Sequence, residues 1–145
     1  MADRSISELI KSGPVDHVTA DASLLDAIRY MADVRRGAIP VIEEGRLVGM
    51  FSERDLMLRV VLAGKDPAAL RVRDVMTVDL VVARTDDTHS ACMLKMQEMH
   101  VRHLPVIDGD QLVGLISLRD LMQVEADRKA REIEMLNYYV GYSPE

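Results

Sequence analysis

The chain has 145 residues, of which 48% are hydrophobic and 29% charged, and its formal net charge is −6. That is one domain of ordinary size, or two small halves sharing a core. The acidic balance speaks against nucleic acid or an anionic membrane as partner, because both need a basic footprint.

The single cysteine, Cys92, excludes an internal disulfide and fits a reducing compartment. The opening MADRSISELIK lacks the long apolar stretch of a secretory signal, and no run of about 18 apolar residues occurs. A cytoplasmic protein without a membrane span is therefore expected.

In chain order, a short helix is expected near residues 6–11, then an extended segment at 15–19. Ser23 caps a helix of about a dozen residues whose buried face carries Leu24, Ala27, Ile28, Met31 and Val34. Residues 38–42 and 47–51 are Val/Ile/Leu-rich strands around Glu43-Glu44-Gly45, a hairpin. Pro40 marks the first of them as an edge or irregular strand. A second helix starts at Ser52, and Ala63-Gly64-Lys65-Asp66-Pro67 ends it.

The same order then returns 65 residues later. LVGMFSERDLM (47–57) recurs as LVGLISLRDLM (112–122) with eight of eleven positions identical, and the wider stretches 37–57 and 102–122 share eleven of 21 without a gap. A short helix near 72–76 and an extended segment at 80–83 precede a helix with His89, Cys92, Met93, Met96 and Met99 on the equivalent face, His89 being the polar departure. A hairpin over 104–107 and 112–116 turns at Asp108-Gly109-Asp110, with Pro105 matching Pro40, and a helix starts at Ser117. The boundaries expected are repeat one at 5–62, a linker at 63–71, repeat two at 72–124 and a helical tail at 125–145. A copy of about 60 residues is marginal alone, and two copies can pack their sheets together into one shared core. That predicts an α+β fold of two β-α-β-β-α repeats packed through their sheets about a pseudo-two-fold axis, with two equivalent clefts and a C-terminal helix.

Gly37-Ala38-Ile39-Pro40 with Ser52-Glu53-Arg54-Asp55, and His103-Leu104-Pro105 with Ser117-Leu118-Arg119-Asp120, resemble the Gly-h-x-h-Pro and Ser/Thr-x-x-Asp signatures of a tandem pair of CBS domains, the motif named after cystathionine β-synthase (h is apolar). The resemblance covers roughly residues 5–124 and looks like the stand-alone type. It implies regulatory binding of an adenosyl compound (AMP, ADP or ATP above all, S-adenosylmethionine or a nicotinamide dinucleotide otherwise), held between the copies. Carried over, one cleft has Ser52 and Asp55 facing Leu80, Val81, Val101, Arg102, His103 and Arg119. The other has Ser117 and Asp120 facing Val15, Asp16, Arg36, Gly37, Ala38 and Arg54.

The chemistry suits those residues. A carboxylate offers two acceptors to the paired hydroxyls of a ribose, a helix start offers free N–H groups to an anion, and arginine forks match phosphate. The Asp55 cleft has Arg102 and His103 where its twin has Gly37 and Ala38, and the Asp120 cleft holds the like charge of Asp16. The Asp55 cleft is therefore expected to take the more phosphorylated ligand. No obligatory cofactor is expected, only a nucleotide with magnesium as its escort.

Several alternatives stand beside this. Ser-x-x-Asp is close to a capping box and serves to start a helix whatever else it does. His89, His100 and His103 invite a metal, against the lack of a second Cys or an acidic cluster at ligand spacing. Cys92 aligns with Ala27 on a buried face, the place of a core thiol rather than a nucleophile. No nucleophile-elbow, Walker or dinucleotide-binding glycine motif occurs, so an enzyme is not expected. In the tail, Ala126, Ala130, Ile133, Leu136 and Val140 share one face, suited to lying on its own module or pairing with a second subunit. A homodimer that reports nucleotide state to an effector protein is one expectation; a structural adaptor with unused clefts is the other.

Overall fold

The computed structural model describes residues 3–11 and 13–141, and the expected tail from 142 on lies outside the described residues. Two three-stranded sheets form, β1 (Val18–Thr19), β2 (Ala38–Glu43) and β3 (Arg46–Ser52) in one, β4 (Ala83–Arg84), β5 (His103–Asp108) and β6 (Gln111–Ser117) in the other. In each, the first strand runs parallel to the second and the second pairs antiparallel with the third, with Val41 opposite Gly49 and Val106 opposite Gly114. The fold is the expected α+β duplication with a C-terminal helix.

β2 and β5 are central strands, so of the two alternatives expected from Pro40 and Pro105, an edge or an irregular strand, the structure has the irregular one. Proline is tolerated because β1 and β4 are two residues long and pair only with Val41–Ile42 and Val106–Ile107. Pro40 and Pro105 are thus flanked on one side only, and a register shift follows each, between Val41 and Ile42 and between Val106 and Ile107. The first hairpin turns on two left-handed residues, Glu44 at φ 51° and Gly45 at φ 76°, the second on Gly109 alone at φ 61°.

Helix α1 (Leu24–Val34) is capped by Ser23, whose hydroxyl accepts the Asp26 amide, and ends at Arg35 in the left-handed region. Leu24, Ala27 and Met31 are buried along it. After β3 come α2 (Glu53–Asp55), which runs on as a π-helical turn through Leu56–Val61, and α3 (Val72–Val75). Helix α4 (His89–Met99), capped by Thr88, buries His89, Cys92 and Met96. Met99, expected on that face, is 56% exposed, so the buried stripe stops a turn early. The polar departure at His89 is accommodated: the ring is fully buried, its Nε2 lies 3.0 Å from a Glu125 carboxylate oxygen, and its Nδ1 takes the Arg4 amide at 3.3 Å.

In place of the single shared core expected from the small size of each copy, each repeat has its own apolar core, and the segments that open the repeats are exchanged between them. Ile6 is buried in the core of repeat two with Leu104, Ile116 and Leu121, while Val72 and Val75 of α3 are buried in the core of repeat one with Leu24, Ile39 and Phe51. Backbone bonds secure both crossings: the Ile6 amide donates to Asp87 O at 2.8 Å, and the Val72 and Arg73 amides to Ala22 O and Ala20 O at 3.0 and 2.9 Å. Arg73 adds ion pairs to Asp21, at 2.8 Å, and to Glu43.

Helix α5 (Leu118–Tyr139) joins the second helix of repeat two to the tail without a break. In repeat one the chain turns out at Gly64, φ 68°, before Pro67. The equivalent positions in repeat two are Lys129 and Glu132, which let a helix continue. No described helix is long and apolar enough to cross a membrane.

Candidate functional site

Strand β3 delivers Ser52 in extended geometry to the start of α2. Its hydroxyl accepts the Asp55 amide at 3.2 Å, and Asp55 Oδ2 accepts the Ser52 amide at 3.0 Å and the Ser52 hydroxyl at 3.1 Å. The same box closes at the start of α5, where Asp120 Oδ2 accepts the Ser117 amide and Ser117 Oγ the Asp120 amide, both at 3.0 Å. The Ser-x-x-Asp motif therefore caps a helix in both repeats. That cap also holds each carboxylate in place at the junction of strand and helix.

The two acids then differ. Asp55 is buried and its Oδ1 accepts the Thr77 hydroxyl at 2.9 Å, with Arg59 Nε at 3.6 Å. Thr77 reaches it because its backbone pairs with Met50 through two bonds, Thr77 N to Met50 O at 2.8 Å and Met50 N to Thr77 O at 2.9 Å. Arg59 also donates to Met76 O at 2.9 Å. Asp120 is exposed, and the position matching Arg59 is Val124. Close packing enforces the Thr77 placement. A Cβ at Gly49 would sit 2.7 Å from Met76 Sδ and 3.0 Å from Thr77 O. Gly49→Ala is expected to destabilise by about 1–3 kcal/mol, read as a lower urea midpoint; an unchanged midpoint would mean that Met76 yields freely.

Three cavities line the junction of the repeats. The first, of about 490 Å³, gathers Ser52, Asp55, Leu80, Val81, Val101, Arg102 and His103 from the expected Asp55 cleft. It also takes Gly37, Ala38 and Arg54, which were expected on the Asp120 side, together with Thr77 and the acids Glu53 and Asp79. The second, of about 400 Å³, holds Asp120 with Val15, Asp16 and Arg36. The third, of about 720 Å³, is an open groove with Arg35, Arg36, Arg102, Arg119, Ser117 and Asp120, and it shares Gly37, Arg102 and His103 with the first. Arg119, expected opposite Asp55, thus lines the adjoining groove, and Arg54 takes its place beside Asp55. Volumes of this size suit a small-molecule ligand.

Electrostatics distinguish the cavities further. Asp16 is paired: Arg36 Nε lies 3.5 Å from its Oδ2, and Tyr30 donates to Oδ1 at 3.2 Å. Arg36 is correspondingly engaged. Burial, followed by the Arg36 guanidinium, pushes the His103 imidazole below its ordinary pKa, with Asp120 pulling the other way.

Thr77 escaped the sequence reading, although a hydroxyl recurs at both equivalent positions, Ser12 and Thr77. Glu53, Asp79 and Arg59 escaped it too, since nothing in their spacing marks them.

The three histidines do not converge, since His89 is fully buried in the core of repeat two while His100 and His103 line the first cavity. Among the described residues, no three His, Cys, Asp or Glu side chains form a group able to hold a metal ion. Burial, then the nearby Asp87 charge, pushes the Cys92 thiol up to about 11, far from a reactive thiolate.

This pair of capped carboxylates between duplicated α+β halves is an arrangement with known relatives. The CBS domain family matches residues 6–62 and again 72–127, and the chain belongs to that family. It is 28% identical over 131 residues to the mitochondrial CBS domain-containing protein CBSX3 of Arabidopsis thaliana, covering 86% of this chain and 64% of that protein's length. Among solved structures it is similar to the CBS domain NE2398, with a TM-score of 0.80, 31% identity and coverage of 86% of this chain and 99% of that one. A third relative in fold, at 18% identity and a TM-score of 0.77 over 88% of this chain and 99% of that one, is the CBS domain pair of MJ0100 in complex with 5′-methylthioadenosine and S-adenosyl-L-methionine. CBS pairs are regulatory modules that often bind adenosine-containing ligands.

Proposed function

We propose that this chain is a regulatory module that binds an adenosine nucleotide, AMP, ADP or ATP, in the Asp55 cavity and signals its occupancy to an effector protein. The ribose sits on the Asp55 carboxylate and the adenine against Leu80, Val81 and Val101. The phosphates run toward Arg102 and His103 and into the groove with Arg119. The observation that carries this reading is a shared wall: the cavity with a fixed carboxylate and the groove with Arg35, Arg36, Arg102 and Arg119 have Gly37, Arg102 and His103 in common. The adenosyl ligands of MJ0100 support the ligand class. No step of catalysis is assigned, and magnesium enters only as the escort of the nucleotide. The Asp120 cavity binds more weakly, because Asp16 occupies Arg36 and repels phosphate.

The test is a thermal-shift panel of AMP, ADP, ATP, NADH and S-adenosylmethionine, since a ligand that favours the native state raises the apparent Tm. A saturable rise with the adenine nucleotides is expected. No rise with any of the five favours the second reading, a structural adaptor. That reading has its own observation: Asp55 is already served by Ser52, Thr77 and Arg59 without any ligand.

His103 supplies a pH prediction. Its lowered pKa keeps the ring neutral in the free protein at pH 7, and a phosphate beside it favours the protonated form. Binding therefore takes up a proton, and ATP affinity rises as pH falls from about 8 to 6. Calorimetry in buffers of different ionisation enthalpy reads the proton directly. A flat profile, the same in His103→Gln, would remove His103 from the phosphate site.

A further inference from the structure

The Asp55 cavity carries a negative charge that the ribose and phosphate contacts leave unused. Glu53, the first residue of α2, donates its amide to Gly37 O at 2.9 Å. Its side chain lies across Gly37: a Cβ at that glycine would stand 3.3 Å from Glu53 Cδ and 3.4 Å from each carboxylate oxygen. Having no side chain, Gly37 leaves that space to the carboxylate. Gly37 is also one of the three residues that the cavity and the arginine groove have in common. A second is His103, whose imidazole is pushed down by burial first and by Arg36 next, and which feels the Glu53 charge in the opposite sense. The carboxylate therefore stands at the wall that the two spaces share.

Two further observations set Glu53 apart. Among the described residues no ion pair engages it, whereas Asp16 in the second cavity is paired with Arg36. Its charge thus has no fixed partner and acts on whatever anion lies beside it. The equivalent residue of repeat two is Leu118, whose amide makes the matching bond to Arg102 O at 2.7 Å. The same backbone geometry forms with an apolar side chain, so the fold does not call for an acid at this position.

We propose that Glu53 is a specificity-determining residue of this site: its carboxylate opposes each phosphate that passes Gly37, and so offsets the advantage that Arg102 and Arg119 give to a longer phosphate chain. This rests on the reading of the Asp55 cavity as an adenine-nucleotide site. A like charge beside the phosphates repels AMP least and ATP most, and it leaves adenosine untouched. Asp79 lines the same cavity, but it adjoins Leu80, at the end taken by the base. There the number of phosphates makes little difference, because solvent and salt screen the longer separation.

Calorimetric titration of the full chain with adenosine, AMP, ADP and ATP, in EDTA and again with magnesium, tests this. In EDTA, Glu53→Gln is expected to raise ATP affinity about three- to tenfold, ADP affinity by less and AMP affinity by no more than about twofold, with adenosine unchanged. Glu53→Leu, which copies the residue at 118, is expected to do the same. With magnesium the gain is expected to be smaller, because the cation offsets phosphate charge. Glu53 is exposed, so the gain is also expected to shrink as salt rises. A damaged fold cannot mimic a gain in affinity. Asp79→Asn is the control, expected to shift AMP and ATP by one common factor. Several results would overturn the proposal while leaving the cavity as a nucleotide site: no gain for ATP in Glu53→Gln, an equal gain for all four ligands, a loss of affinity for the magnesium complex, or the same graded gain in Asp79→Asn. A wild type that binds none of the four removes the nucleotide reading and this proposal together.

Discussion

Replacing Asp55 by alanine is expected to weaken ATP binding by ten- to a hundredfold and to destabilise the protein, and the two effects are separable. The affinity loss follows from the chemistry: charge-assisted hydrogen bonds to ribose hydroxyls are worth about 1.5–3 kcal/mol each, and a tenfold change corresponds to about 1.4 kcal/mol. The stability loss follows from the geometry. Removing the carboxylate strands the Ser52 amide and the Thr77 hydroxyl, which it now accepts at 3.0 and 2.9 Å. Leaving such groups unmet at a buried site costs about 1–3 kcal/mol. Asp120→Ala is the companion. Asp120 is exposed, so its stability loss stays near the lower end of a capping effect, about 0.5–1 kcal/mol. Titrating ATP into both variants, with urea midpoints measured alongside, separates ligand contact from helix capping. Unchanged ATP affinity in Asp55→Ala would sink the assignment of this cavity.

The largest effect on the fold itself is expected at Phe51. It is the one phenylalanine of the chain, it is fully buried, and it packs in the core of repeat one with Leu24, Ile39, Val60, Val72 and Val75. Truncation to alanine is expected to cost about 3–5 kcal/mol, the transfer term plus an unfilled cavity. That is a large share of the stability of a domain this size. The equivalent position in repeat two is Ile116, and Phe51→Ile is expected to cost less, about 1–2 kcal/mol. Urea unfolding reads both. Because Val72 and Val75 come from the segment that opens repeat two, loss of Phe51 is also expected to lower the unfolding midpoint of the chain as one transition rather than to melt half of it. Two separated transitions in Phe51→Ala would show that the exchanged segments do not couple the halves.

Much of this was legible beforehand. The offset of 65 residues, the hairpins around Glu44-Gly45 and Gly109, the caps at Ser23, Ser52 and Ser117 and the buried stripe of α1 all stand in the structure. Each rests on interactions within one turn of helix or one hairpin, so local spacing reveals it. The grouping of Ser52 and Asp55 with Leu80, Val81, Val101, Arg102 and His103 came from the family resemblance. The structure places them around one cavity, and ligand contact there awaits the titrations above.

What escaped has a common cause. Arg54 and Arg119 occupy equivalent positions, yet Arg54 lines the cavity of Asp55 while Arg119 lines the groove. Thr77 and Arg59 meet Asp55 through contacts that join different elements. Pro40 and Pro105 sit in central strands because their neighbours are too short to need the missing amide.

The amino-acid sequence by itself determined the duplicated unit, its strands, helices and caps, and the family, because periodicity, turn residues and hydroxyl caps act over a few residues. Only the tertiary structure decided that the opening segments cross, Ile6 into one core and Val72 with Val75 into the other, and that α5 projects beyond the module. An internal repeat leaves those choices degenerate: either half offers the same apolar face at the same spacing, and the selection is made by packing between distant segments, where a core closes without a void.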